Sequence, residues 1–330
     1  METALDLSRW RETPRGVGYR RWTIVSTGLR QLLAMRFFKG LVNIAWLTSL
    51  VIAAAAFVFS QSIADGGWLE MLANAAGPRE QATVKAFGAL VVLFPDVCIG
   101  GVFTLIFWLH SFVGLTLCLV GLTVMAPQLI ARDRASNALT IYLSRPLTSG
   151  DYLLGKLGMI VGLLLLLWTG PLLFGWLLSM VLSSDRDFIV HSFPPLLRAL
   201  LFNGIALAVL APLALGVSAL SRSSRAVIAA WIGLWAVAGA VAKFPEAPAY
   251  LRHASFSYNL GEVRLTVFPV TQAFTDAAEQ LPLFDDQLKR NLTRSAEKTR
   301  ATDFNGAVIG LGVLMALSSA VFLRKLRTEE

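Results

Sequence analysis

Leu157-Gly158-Met159-Ile160-Val161-Gly162-Leu163-Leu164-Leu165-Leu166-Leu167-Trp168 decides the fold class. A helix on the surface of a soluble domain shows a polar face every third or fourth residue. This run shows none, and it stays free of Asp, Glu, Lys and Arg as far as residue 184. Crossing the hydrocarbon core of a bilayer takes about 20 apolar residues in a helix. Five more stretches lack all four charged residues: 40–64, 97–131, 199–221, 226–242 and 304–323. Of the 330 residues, 55% are hydrophobic and 15% are charged, against roughly a quarter charged in a soluble domain. The expected fold is an all-α integral membrane protein with six transmembrane helices, over about residues 40–62, 101–130, 157–182, 199–220, 226–242 and 304–323.

The charges between the spans predict the orientation. With the N-terminus in the cytoplasm, the inner pieces 1–39, 132–156, 222–225 and 324–330 carry net charges of +5, +2, +2 and +1. The outer pieces 65–96, 185–198 and 243–303 carry −2, 0 and 0, which returns the total of +8. That is the positive-inside pattern, with both termini cytoplasmic. The basic surplus therefore addresses anionic headgroups rather than nucleic acid, with Arg9, Arg11, Arg15, Arg20 and Arg21 at the cytoplasmic leaflet. These charges and spans predict a multi-pass protein of the cell membrane, most simply a bacterial inner membrane.

Ahead of the first span, Trp22, Val25, Leu29, Leu32 and Leu33 share one helical face opposite Thr23, Ser26, Thr27, Arg30 and Gln31. This predicts an amphipathic interfacial helix within the cytoplasmic segment 1–39. Residues 85–94 are apolar but too short to cross, and read as a helix lying on the outer surface. The extracytoplasmic segment 243–303 is expected to be extended over 257–268 and polar helix over 271–302. Gly170-Pro171, Pro127 and Pro212 are expected to bend their spans.

The cytoplasmic loop 131–156 is the informative segment for function. Arg134 to Leu143 suffices for about three helical turns, and Pro146 stops that helix by pushing Arg145 out of helical geometry. Thr148 and Asp151 form the start signal of the next helix. A short helix thus hangs beneath the membrane, and Leu139, Tyr142 and Leu143 give it an apolar edge with nothing of its own to cover it. Such an edge fits a groove on another protein.

The same loop resembles the cytoplasmic loop of ABC transporter permeases of the type-2 exporter class. Ile130, Asp133, Ala138, Leu139, Leu143, Arg145, Pro146, Tyr152, Gly155 and Lys156 fall where that family's pattern has matching residues. Asn137 stands where glycine is commoner, and the segment 243–303 is longer than in the plainest members. The resemblance implies a coupling helix docked on a cytoplasmic ATPase, contacted through Asp133, Arg134, Asn137, Leu139, Tyr142, Leu143, Arg145 and Pro146. It also implies two ATPase subunits that bind ATP and Mg, a second permease subunit as homodimer or heterodimer, and room for an extracytoplasmic partner. The chain itself would then need no cofactor and would be no enzyme. The alternative is a secondary transporter, or a membrane scaffold without an ATPase.

Gly150-Asp151-Tyr152-Leu153-Leu154-Gly155-Lys156 also fits G-x-x-x-x-G-K, the phosphate-cradling loop of nucleotide enzymes. Leu157 stands next, where Ser or Thr would hold Mg; no strand precedes the run, and its middle is leucine. The residues read better as the start of the third span. His110 and Ser111 lie inside the second span, either on a substrate path or hydrogen-bonded to neighbouring helices. Gly158-x-x-x-Gly162 and Gly306-x-x-x-Gly310 permit close helix contact, within the subunit or between subunits. His110, His191 and His253 are too scattered for a metal site. Cys98 and Cys118 make no disulfide framework.

Overall fold

The computed structural model describes residues 16–63, 93–136, 148–183, 186–244, 247–273 and 303–327, with scattered positions between. These residues are nearly all helical, with no strand among them. Six helices are long and apolar enough to cross a membrane: Arg36–Ser62, Pro95–Ala135, Gly150–Ser183, Phe188–Leu220, Ser224–Val241 and Phe304–Lys325. Each overlaps one of the six charge-free stretches, and the fourth begins at Phe188, ahead of the expected 199. We number the elements α1 (Val17–Ala34), α2 (Arg36–Ile63), α3 (Pro95–Met125), α4 (Ala131–Ala135), α5 (Ser149–Leu164), α6 (Gly170–Ser183), α7 (Arg186–Leu220), α8 (Ser224–Val241), α9 (Ala249–Ala254), α10 (Phe256–Val267) and α11 (Phe304–Arg327). The expected surface helix 85–94 and the polar half 271–302 lie mostly outside the described residues.

The third span is α5 and α6 joined through a π-helical turn, Leu165–Thr169. Pro171 has no N–H to give the turn before it, so a carbonyl there must find another donor. Three other spans converge on this turn. The Trp46 indole N–H donates to the Leu166 carbonyl at 3.2 Å. His110 Nε2 lies 3.4 Å from the Trp168 carbonyl, and the Asn203 amide donates to Thr169 Oγ1 at 3.4 Å. In lipid there is little hydrophobic force between helices, so interhelical hydrogen bonds and small residues carry the association. Gly175 shows the second device. A side chain there would come within 2.9 Å of the Ser49 carbonyl, so α6 and α2 touch backbone to backbone.

Both glycine pairs serve contacts inside the subunit. Gly155, Gly158 and Gly162 face Ile24, Val25 and Leu29 of α1, each within 2.9 Å of where a β-carbon would stand. Gly310 likewise meets Asn259 and the backbone of His253. The helix α1 thus runs along the first half of the third span rather than resting on lipid alone. Its contact face is Ile24, Val25, Gly28, Leu29 and Leu32, while Trp22, expected on that face, is 64% exposed.

The expectation of extended chain over 257–268 is overturned. Phe256–Val267 is helical, started by the Ser255 hydroxyl, which accepts from the Tyr258 N–H at 3.1 Å. Its β-branched and aromatic residues suggested a strand, but packing decides. Phe256, Leu260 and Val263 are buried against the spans, and burial on a helical period overrides a weak β preference. The hairpin α9–α10 therefore belongs to the bundle. The Ser255 hydroxyl donates to the Ala238 carbonyl of the fifth span at 2.8 Å. His253 Nε2 lies 3.0 Å from the Asp303 carboxylate at the start of the sixth.

Candidate functional site

The two ends of the loop 131–156 are described; its middle, 137–147, is not. Asn137, Leu139, Tyr142, Leu143, Arg145 and Pro146 all fall in that middle, so the expected coupling helix lies outside the described residues. Asp133 and Arg134 fall on the entry side, in α4.

At the entry, the second span ends through a 3-10 turn, Ala126–Gln128, at Pro127. Pro127 leaves the turn short of a donor, and the chain is caught from the side. The buried Ser218 hydroxyl of the fourth span accepts from the backbone N–H of Ile130 at 3.0 Å and of Ala131 at 3.2 Å. Arg134 then donates to the Ala219 carbonyl at 2.8 Å. One turn of α7 thereby holds the start of the loop.

At the exit, Thr148 and Asp151 form the expected capping box. The Thr148 hydroxyl accepts from the Asp151 N–H, and the Asp151 carboxylate reaches back to Thr148. The same carboxylate takes Arg21 of α1, whose Nε donates to it at 2.8 Å. Asp151 is 8% exposed at its side chain and Arg21 44%. A surface pair of this kind orients more than it stabilises.

Entry and exit are then tied to each other. The Lys156 ammonium lies 2.7 Å from the Asp133 carboxylate, with side chains 11% and 16% exposed. The Tyr152 hydroxyl donates to the same carboxylate at 2.7 Å. Lys156 also reaches the Gln128 carbonyl at 3.4 Å. Asp133 thus has two donors from α5, four and eight residues after Thr148. A charge this far out of water needs such partners. Three residues of the phosphate-loop look-alike, Asp151, Tyr152 and Lys156, make these contacts. Gly150–Lys156 lies in a helix, Gly155 is covered by Ile24, and Lys156 holds Asp133.

A cleft of about 740 Å³ opens between α1, the end of the second span and the start of the third. Thr23, Thr27, Gln31, Gln128, Arg132 and Lys156 give it a polar lining, and Met35 and Met159 an apolar one.

His110 is 6% exposed, and its contact with Trp168 is the kind of interhelical bond that a buried polar group makes. Ser111 donates to its own helix, to the Trp108 carbonyl at 2.6 Å. Neither is brought near the loop 131–156. Among the described residues no group of three or more His, Cys, Asp or Glu could hold a metal ion. Sequence reasoning passed over Ser218 and the pairing of Lys156, and it gave Arg21 to the lipid headgroups where the structure pairs it with Asp151. Ser218 had a faint signal, a small hydroxyl close before a basic turn, but nothing in the sequence names its donors.

Comparison with known families gives a match over most of the chain. The model described as ABC-2 family transporter protein covers residues 60–325. That is well over half of the chain, and the chain belongs to this family: it is the membrane-spanning permease component of an ABC transporter. No curated protein matches it.

Proposed function

We propose that this ABC-2 family permease couples ATP hydrolysis by a separate cytoplasmic ATPase to export of a substrate, through the loop 131–156. The observation that supports this is the bracket at both ends of the loop. Ser218 and Arg134 hold its entry to the fourth span, Arg21 holds its exit to α1, and Lys156–Asp133 joins the two. A free connector between two spans needs no such anchoring. A segment pushed by a partner does, because a push on a loose loop moves only the loop. Here it would move the second, third and fourth spans together.

In this reading the contact residues are Asn137, Leu139, Tyr142, Leu143, Arg145 and Pro146, with Asp133 and Arg134 transmitting rather than docking. ATP and Mg belong to two ATPase subunits, and two permease chains, identical or related, line the pathway. The setting in this reading is a bacterial inner membrane with both termini inside, an orientation that the charge distribution supports.

Leu139 and Leu143 are four apart and share a helical face. Burying one large apolar side chain is worth about 1.5–3 kcal/mol, and an unpaired carboxylate in its place costs more. Leu139→Asp is therefore expected to weaken co-purification of the ATPase, or to uncouple hydrolysis from transport, while the chain still inserts. Full attachment and full coupling in that variant would show the loop to be a connector.

A further inference from the structure

Arg264 is a charged side chain that meets no opposite charge among the described residues. It sits in the last turn of α10 and is only 7% exposed. Its Nε is buried and has no hydrogen-bond partner, and among the described residues no acid pairs with it. The nearest carboxylate in sequence, Glu262, accepts instead from the Asp303 N–H at 3.1 Å. The guanidinium carbon lies 3.8 Å from the centroid of the Phe112 ring in the second span and 5.1 Å from that of Phe202 in the fourth. Arginine keeps its proton in proteins, so the charge stays. Two ring faces and the C-terminal end of a helix offset part of the desolvation. The rings supply no oxygen, and among the described residues no oxygen accepts from the guanidinium Nε.

We propose that Arg264 is the anion-holding group of a binding subsite for an amphipathic anion, a phosphate or carboxylate carried on an apolar body. The guanidinium fork matches two oxygens of such a group. The apolar body has a place beside it: Phe112 is 43% exposed, and Leu109 and Val113, on the same side of the second span, are 51% and 42% exposed. A free inorganic anion would gain nothing from that strip. That the amphiphile is cargo rests on the exporter reading; that it binds does not.

The test uses the full chain in phosphatidylcholine nanodiscs without any ATPase, so that it stands apart from coupling. Dodecyl phosphate, dodecanoate and inorganic phosphate are titrated separately, and bound ligand is counted by native mass spectrometry. Wild type is expected to retain dodecyl phosphate or dodecanoate, and whichever is retained names the oxyanion. Arg264→Gln should weaken that ligand about tenfold, the scale of one lost charge-assisted contact. Arg264→Lys, which keeps the charge but not the fork, should lie between and controls for folding. Equal retention by wild type and Arg264→Gln overturns the proposal. So does inorganic phosphate binding as tightly as the amphiphiles. Loss of the permease dimer in Arg264→Gln with amphiphile binding unchanged also overturns it, and assigns the guanidinium to a second copy. If Leu139→Asp leaves the ATPase attached and coupled while amphiphile binding still depends on Arg264, the exporter reading falls and the subsite remains.

Discussion

Lys156 carries two readings in the sequence, a phosphate ligand and the first residue of a span. Its position at 2.7 Å from Asp133 gives it a third, the tie between the two ends of the loop. The two side chains are mostly buried, so removing one partner leaves the other poorly solvated. Breaking a pair of this kind costs about 1–3 kcal/mol at a partly exposed site, less than the 3–5 of a deep one. Lys156→Ala is therefore expected to lower the thermal midpoint of the purified chain while ATP binding by the whole complex stays unchanged. Replacing Asp133 as well, in Asp133→Asn/Lys156→Ala, removes the orphaned charge and should recover part of the loss. If the double variant is the less stable by the sum of both single losses, the two residues do not act on each other. Loss of ATP binding in an assembled Lys156→Ala complex would restore the phosphate reading.

At the scale of elements, the closest fit is between α1 and α5. A leucine at Gly158 has no room, because even a β-carbon would stand 2.8 Å from Val25. Overpacking of this sort costs about 1–3 kcal/mol, and a helix held along one face can escape the clash by lifting off. Gly158→Leu is expected to release α1 and, through Arg21, to loosen the start of the third span. A cysteine at Leu32, which is 1% exposed, should then react with a maleimide several-fold faster than in the parent. An unchanged rate would mean that α1 holds by other contacts. The helices themselves were legible because their causes are local. Charge-free runs mark the spans, and Thr148 and Asp151 mark a helix start. What α1 packs on was not legible. Its apolar stripe reads equally well as facing lipid, and only the glycines of another helix, over a hundred residues on, choose between them. Residues 256–267 misled for a related reason. Their composition favours a strand, while burial of Phe256, Leu260 and Val263 against the spans makes them helix. The Arg264 subsite escaped notice because a lone arginine in an outer segment looks solvated until the spans are folded around it.

At the scale of the whole molecule, the remaining question is which way the bundle stands in the membrane. Helix geometry is the same either way up, so the answer must come from charge. The four pieces assigned to the cytoplasm sum to +10 and the three outside to −2, and the single largest contribution is the N-terminal +5 ahead of the first span. The long outer segment 243–303 weighs little, since long segments translocate largely regardless of their charge. Reversing the molecule would carry the basic N-terminus outside and would also move the loop 131–156 away from any cytoplasmic ATPase. Orientation and coupling therefore stand together, and one measurement bears on both. Ser223 lies in the short turn between the fourth and fifth spans, and Tyr250, in the hairpin before the sixth, is 73% exposed. In a background lacking Cys98 and Cys118, Tyr250→Cys should react in intact cells with a thiol reagent that does not cross the membrane. Ser223→Cys should react only once the membrane is opened. The reverse pattern would invert every span, place the bracket of Asp133, Lys156 and Arg21 outside, and remove the ground on which the coupling proposal stands.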